Sequence, residues 1–284
     1  MTRWTSLLVL IAFMAAPSLF AWQETLTPDQ PGPFPEVAPF VANFKIGWSE
    51  IEAARSRAEI TYNGSQVALD AGGGTQGLAR SLYQLDATFQ GTVDRPTLHT
   101  IRSDQVETYS DRSLTTIVTG SNGAIRTFSN PVPPAKKPAK WKVVKIQPVR
   151  DFFAGMLFIR SQALARGDTV RLLMFPGGST FFVEIQSAGP CTIHLDEGPR
   201  EALQLDLKIQ RVNPKKGNAL EPHPKFRSGK IWLSNDARRI PLRAEVDIFI
   251  GYVFAEILDY RQTGEVPALT PAKNGVDKSP VVER

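Results

Sequence analysis

The chain has 284 residues, of which 42% are hydrophobic and 21% are charged, so it can bury one sizeable core. Its formal net charge of +5 is mildly basic and indicates no class of partner by itself. A single cysteine, Cys191, excludes an internal disulfide, and its neighbours Ile193 and Leu195 favour a buried thiol. The composition favours one large domain without a disulfide framework.

Residues 1–21 predict a secretory signal peptide. One basic residue, Arg3, precedes an apolar run from Leu7 to Ala16, and the expected cleavage lies near Ala21. The apolar run is about half the ~20 residues that a membrane-spanning helix needs. We therefore expect an exported protein, periplasmic or secreted, with no transmembrane anchor.

Composition divides the rest of the chain into three parts. Residues 22–40 are rich in proline and predict an extended leader. Residues 41–261 carry the periodic apolar pattern and predict a single β-rich domain, and residues 262–284 predict a disordered tail.

Alternation with a period of two dominates the central part. In residues 203–210, leucine and isoleucine alternate with polar side chains, which is typical of a strand buried on one face. The same pattern recurs in residues 170–174, 181–185 and 240–250, and glycine-rich or Asx turns separate such runs. The sequence predicts an all-β, mainly antiparallel fold, either a curved sheet or a barrel or half-barrel.

Two segments break the alternation and predict short helices. Residues 151–162 are apolar nearly all round and begin with Asp151, a residue suited to capping a helix N-terminus. A second helical turn is predicted within residues 77–85.

Several blocks together resemble the bacterial exported family catalogued as domain of unknown function 3108. They cover most of the chain between Phe44 and Leu258 and comprise residues 44–48 with 58–60, 77–83, 150–160, and 230–242 followed by Gly251. The resemblance implies an exported β-rich fold and no particular activity.

The predicted helix at 151–162 suggests a ligand site. If it closes a barrel mouth, Phe152, Phe153, Met156 and Phe158 line an apolar cavity. Ordinary core packing explains the same residues and is the more common role of aromatic and methionine clusters. Both interpretations stay open at this stage.

The segment from Trp232 to Arg239 offers a second candidate site. Trp232, Asp236 and Arg239 can form a ligand-binding turn, although a tight hairpin with local Asx hydrogen bonds explains the same sequence and is favoured.

A lysine-rich, proline-rich stretch is the one marked electrostatic feature. Lys136, Lys137, Lys140, Trp141 and Lys142 can contact anionic lipid headgroups, each cation contributing roughly 1 kcal/mol. A solvated surface loop is the alternative, and the more ordinary one.

No catalytic, cofactor or metal site is predicted. His99, His194 and His223 lack metal-ligand spacing, and residues 177–181 fail the Gly-x-Ser-x-Gly pattern at its last position. Nucleic acid is disfavoured by export and by the lack of aromatic residues within a basic sheet face.

The sequence favours a non-enzymatic envelope protein that binds an apolar ligand, such as a lipid or a lipoprotein acyl chain. Two alternatives remain: a scaffold or assembly factor that docks on an envelope partner, and a hydrolase of envelope polymers. The oligomeric state is not predicted.

Overall fold

The computed structural model describes residues 22–135, 138–226 and 228–268. The predicted signal peptide, Lys136 and Lys137, and most of the predicted tail lie outside the described residues. Within them the prediction of an all-β antiparallel fold with two short helices is confirmed.

The first half of the described chain forms eight strands and one helix. They are β1 (Phe40–Trp48), β2 (Ile51–Asn63), β3 (Gln66–Thr75), α1 (Gly77–Leu82), β4 (Leu85–Asp94), β5 (Thr100–Tyr109), β6 (Ser113–Ser121), β7 (Ala124–Val132) and β8 (Lys142–Val143). Each strand pairs antiparallel with the next, as expected for a chain of hairpins.

The second half adds one helix and seven strands to the same sheet. They are α2 (Phe152–Ser161), β9 (Thr169–Met174), β10 (Phe181–Leu195), β11 (Gly198–Asn213), β12 (Ala219–Pro222), β13 (Gly229–Ser234), β14 (Pro241–Asp247) and β15 (Tyr252–Gln262). The last strand, β15, pairs with β1 and joins the two halves. The sheet then continues through β14, β13, β11 and β10 to β9, while β12 pairs with β11.

The segment between β8 and α2 connects the two ends of the sheet. Its Val149 N–H donates to the Gly123 carbonyl before β7 at 3.0 Å, and its Arg150 N–H donates to the Leu173 carbonyl of β9 at 3.0 Å. An apolar cluster fills this junction, formed by Val118, Ile125, Val144, Val149, Leu173, Phe175, Phe182 and Val212. The curved sheet is therefore barrel-like.

Helix α2 lies across one end of this barrel. At its N-terminus the Asp151 N–H donates to the Thr100 hydroxyl, where β5 begins, at 2.9 Å. At its C-terminus the Arg160 guanidinium donates to the Arg238 carbonyl, between β13 and β14, at 3.0 Å. A helix that is apolar nearly all round needs such burial, and most of α2 is buried.

The leader packs against the same end of the barrel. Its Thr27 N–H donates to the Arg171 carbonyl of β9, and its Phe34 N–H donates to the Ser161 carbonyl of α2, both at 2.9 Å. Asp29 forms an ion pair with the buried Arg150 at 2.6 Å. These contacts hold the proline-rich segment against β9 and against both ends of α2.

The outer face of β1, β14 and β15 carries a buried charge network. Glu256 is 1% exposed and lies 3.0 Å from Lys45, and it also forms an ion pair with Arg243. The tip of the β10–β11 hairpin covers the network, since Asp196 contacts Lys45 at 2.5 Å. Cys191, which the sequence predicts as buried, is half-buried near this hairpin tip.

No helix among the described residues combines the length and apolar character needed to cross a bilayer.

Candidate functional site

A cavity of about 320 Å³ lies inside the barrel between α2 and the inner face of the sheet. Strands β1–β3 line one side and β11 and β13–β15 the other. The apolar lining includes Phe40, Phe44, Ala58, Ile60, Leu69, Ala71, Phe152, Phe153, Met156, Leu157, Leu205, Ile231, Leu233, Ala244 and Ala255.

Small side chains at paired positions leave this space. Ala58 of β2 lies directly opposite Ala71 of β3, and Ala244 of β14 lies directly opposite Ala255 of β15. Directly paired residues on one face have Cβ atoms only ~5 Å apart, so two alanines together leave a gap where larger residues would meet. The cavity is thus a consequence of strand register as well as of composition.

The cavity is continuous with solvent. Phe152, in the first turn of α2, lines it and is 51% exposed. An aromatic side chain at a helix terminus inside a barrel is usually covered by its neighbours, because burying apolar surface is favourable. The cavity is therefore open to solvent beside the first turn of α2.

The charged residues in the described lining are all arginines: Arg160, Arg238, Arg239 and Arg243, the last of which directs its guanidinium to the outer-face network with Glu256. Arg238 pairs with Asp236 at 2.6 Å and Arg243 with Glu245 at 2.7 Å. For Arg160 and Arg239 no carboxylate among the described residues lies within 4.0 Å.

Backbone carbonyls hold these two guanidinium groups instead. Arg160 donates to the carbonyls of Phe34 at 3.1 Å and Arg238 at 3.0 Å, and Arg239 donates to those of Arg160 at 3.0 Å and Ala163 at 2.6 Å. The Arg239 guanidinium also stacks 3.9 Å from the centre of the Phe34 ring. Burial, together with the nearby charge of Arg239, lowers the pKa of Arg160 to about 10. Burial also lowers the pKa of Arg239.

A family model described as "Protein of unknown function (DUF3108)" matches residues 43–257. The chain belongs to this family. The match includes part of every strand that lines the cavity, while Phe40 of β1 and Tyr260 of β15 lie just outside it. A search of the curated proteins found no match.

Three solved structures show some similarity to this DUF3108 protein. A beta-barrel-like protein of domain of unknown function DUF1849 from Brucella abortus has a TM-score of 0.50 and 10% identity, covering 82% of this chain and 99% of its own. A protein from Bacteroides fragilis, called an exported protein with a YmcC-like fold, has a TM-score of 0.37 and 6% identity over 81% and 99%. One from Parabacteroides distasonis, assigned as a lipoprotein, has a TM-score of 0.31 and 8% identity over 82% and 100%. The first of these similarities supports a barrel-like fold.

The structure brings several of the predicted site residues of this DUF3108 domain together. Phe152, Phe153, Met156 and Arg239 line the cavity. Phe158 does not line it: this residue is almost completely buried in a separate core cluster, with the Arg150 guanidinium 3.9 Å from its ring centre. The helix register explains the difference, since positions 152 and 156 share a face that 158 does not.

Two residues of the predicted turn site have structural roles outside the cavity. Trp232 is buried in the core and lies outside the cavity lining, because its neighbours Ile231 and Leu233 point inward. Asp236 accepts hydrogen bonds from the Ser234 hydroxyl at 2.8 Å and the Arg238 N–H at 3.0 Å, which are local turn contacts.

Of the predicted membrane-contact residues, the three that the structure describes lie outside the cavity lining. Lys140, Trp141 and Lys142 lie near the outer strands β7 and β8; the Trp141 ring is 5.5 Å from the Phe128 ring, and the Arg126 guanidinium is 4.7 Å from its centre. Trp141 therefore packs against β7 and remains half-exposed.

Sequence reasoning missed the small residues that make the cavity. Ala244 belongs to the apolar phase of the alternating run 240–250, and Ala58 and Ala71 occupy the same inward phase as Ile60 and Leu69. The sequence shows that these alanines lie on the inward face of their strands. It does not show that they are paired across neighbouring strands, and the cavity depends on that pairing.

Among the described residues, no three side chains of histidine, cysteine, aspartate or glutamate are grouped so that they could hold a metal ion. The described cavity lining contains hydroxyl groups from Ser56 and Tyr260, and no carboxylate, imidazole or thiol.

Asp151 leads to a pH-dependent prediction. Its carboxylate caps α2 by accepting from the Ala154 N–H at 2.8 Å, and burial raises its pKa. The folded state thus binds a proton on the Asp151 carboxyl more tightly than the unfolded state does. The resulting contribution to the free energy of unfolding is complete below the unfolded pKa of about 4 and is lost as pH rises through the folded pKa. Asp151→Asn keeps the cap and should remove this loss. Urea denaturation at a series of pH values from acidic to neutral measures the free energy of unfolding of both proteins. The same pH dependence in the wild type and the variant would contradict the prediction.

Proposed function

We propose that this protein is an exported, non-enzymatic binding protein that holds the apolar chain of a lipid in its barrel cavity. The observation that carries the proposal is the solvent-accessible apolar cavity that the two alanine pairs leave beneath the inner face of the sheet. Its volume of about 320 Å³ falls at the lower end of the range of ligand sites.

The energetics favour an apolar occupant. Each Å² of apolar surface removed from water contributes about 25 cal/mol, so a hydrocarbon chain gains affinity along its whole length in such a lining. The predicted signal peptide supports the proposal further, since it would carry the protein to the envelope, where lipids and lipoproteins occur.

A displacement assay tests the proposal. An apolar naphthylamine dye, fluorescent in apolar surroundings, should bind the mature protein and be displaced by a long-chain lipid. Absence of dye binding, together with no lipid-dependent rise in melting temperature, would contradict a lipid-binding function, because a ligand that binds the folded state must stabilise it.

A second candidate function, docking on a lipid surface of the envelope, is favoured by apolar side chains at the other end of the barrel. Leu78 and Leu82 of α1 are 77% and 80% exposed. The β1–β2 turn presents exposed Trp48 and Ile51 at the same end, because both turns follow strands that run in the same direction. Exposed apolar clusters of this kind mark interaction surfaces.

The double substitution Leu78→Ser with Leu82→Ser tests this second candidate. Losing the insertion of two leucines should weaken binding to phospholipid vesicles by about tenfold or more, with little change in stability because both side chains are exposed. Vesicle co-sedimentation measures the effect. Val143→Ser, at an exposed position of edge strand β8, is the control and should bind like the wild type. Equal binding of all three proteins would contradict docking through α1.

A further inference from the structure

The charges around the cavity distinguish between classes of lipid. Arg160 and Arg239 are both buried, and both act as hydrogen-bond donors to carbonyl groups. Carbonyl oxygens satisfy N–H groups but carry no net charge, and neither arginine has a carboxylate within 4.0 Å among the described residues. Buried charges are usually paired, since an unpaired one costs free energy.

A phenol lines the same cavity as this pair of arginines. Tyr260 lines the cavity with its ring 5.1 Å from that of Phe40, and its hydroxyl has no hydrogen-bond partner among the described residues. Burial raises the pKa of Tyr260; the charges of Arg238 and Arg160 act in the opposite direction, and that of Asp236 adds to the rise. The phenol is thus a free hydrogen-bond donor in the cavity that Arg160 and Arg239 also line.

We propose that the ligand is a single-chain anionic amphiphile whose carboxylate or phosphate group lies at Arg160, Arg239 and Tyr260, with its chain along the alanine pairs. This proposal rests on the proposed lipid-binding function and deepens it by naming the headgroup. An anion at this position would receive a hydrogen bond from the phenol and compensate the two guanidinium charges.

The binding of three ligands with the same chain tests the headgroup without altering the protein. Dodecanoate, dodecyl phosphate and dodecanol should be titrated calorimetrically into the mature protein at about pH 8, where the acids are ionised. We expect both acids, or one of them, to bind about tenfold or more tightly than the alcohol. Preference for one acid identifies the carboxylate or the phosphate as the headgroup.

The outcomes separate the two proposals. Equal binding of the alcohol and both acids would overturn the anionic headgroup and leave the lipid-binding function standing. Failure of all three to bind would overturn both.

A substitution that avoids the structural arginines gives a second test. Arg160 and Arg239 hold the leader and the end of α2, so replacing them would also disturb folding. Tyr260→Phe keeps the ring and removes one donor. It should weaken binding of the preferred acid by about threefold to tenfold and leave dodecanol unchanged. Equal changes for acid and alcohol would overturn the placement of the headgroup at Tyr260.

Discussion

Replacing Ala71 and Ala244 with phenylalanine should abolish lipid binding while the barrel remains folded. The two side chains lie in the two alanine pairs on opposite walls of the cavity. A phenylalanine at each position fills the space that a hydrocarbon chain would occupy. Because the residues are only half-buried and face a void, the added rings should meet little of the overpacking that destabilises a filled core. The expected loss of affinity is about 100-fold or more.

A matched control distinguishes blocked binding from damage to the strand. Ala68 lies on β3 with Ala71, but it points to the opposite face of the sheet because side chains alternate along a strand. Ala68→Phe should therefore bind lipid like the wild type. Displacement of a bound dye measures affinity, and thermal melting checks the fold of all variants. Undiminished binding by the filled variant, with a melting temperature near that of the wild type, would show that lipid binds elsewhere.

Glu256→Gln should destabilise the protein by about 2–3 kcal/mol. This carboxylate is buried between Lys45 and Arg243, and the substitution removes the counterion that they share, although Asp196 still pairs with Lys45 and Glu245 with Arg243. Burial disfavours the charge on Lys45, yet its hydrogen bonds to Asp196 and Glu256 raise its pKa, so the network favours the charged form. Urea denaturation measures the change in the free energy of unfolding.

Glu245→Gln is the matched control for this prediction. Glu245 contacts the same Arg243 at 2.7 Å, but it is partly exposed, so water compensates for its loss. We expect a change of about 1 kcal/mol or less. Similar effects for the two substitutions would contradict the distinct role assigned to the buried carboxylate.

The spacing of apolar residues along the chain was sufficient to predict much of this fold. The alternation in residues 203–210 lies within β11, and the apolar segment beginning at Asp151 forms α2, because a helix across a barrel end must be apolar on most sides. Both features depend on the period of the side chains, which the sequence displays directly.

The alternating pattern predicted the wrong end for one strand, because a turn interrupts the strand before the apolar pattern stops. The apolar run 240–250 predicts a strand through Ile250, whereas β14 ends at Asp247 and Ile250 is exposed in the turn before β15. Gly251 adopts a left-handed conformation with φ +71°, which reverses the chain there.

Contacts between distant residues account for what the sequence did not predict. Arg243 belongs to the polar phase of its strand, yet it is buried, because the tip of the β10–β11 hairpin folds over the outer face. The cavity likewise depends on which alanines are paired across strands. Neither property follows from periodicity along a single strand.

Native mass spectrometry of the mature protein purified from its own cell envelope tests the central claim most directly. Organic extraction of the same sample and lipid analysis would identify any molecule that is released. The account predicts a stoichiometric lipid adduct in the wild-type protein and none in the variant with phenylalanine at positions 71 and 244. An apo mass for the wild type, or an equal lipid adduct in both proteins, would contradict it.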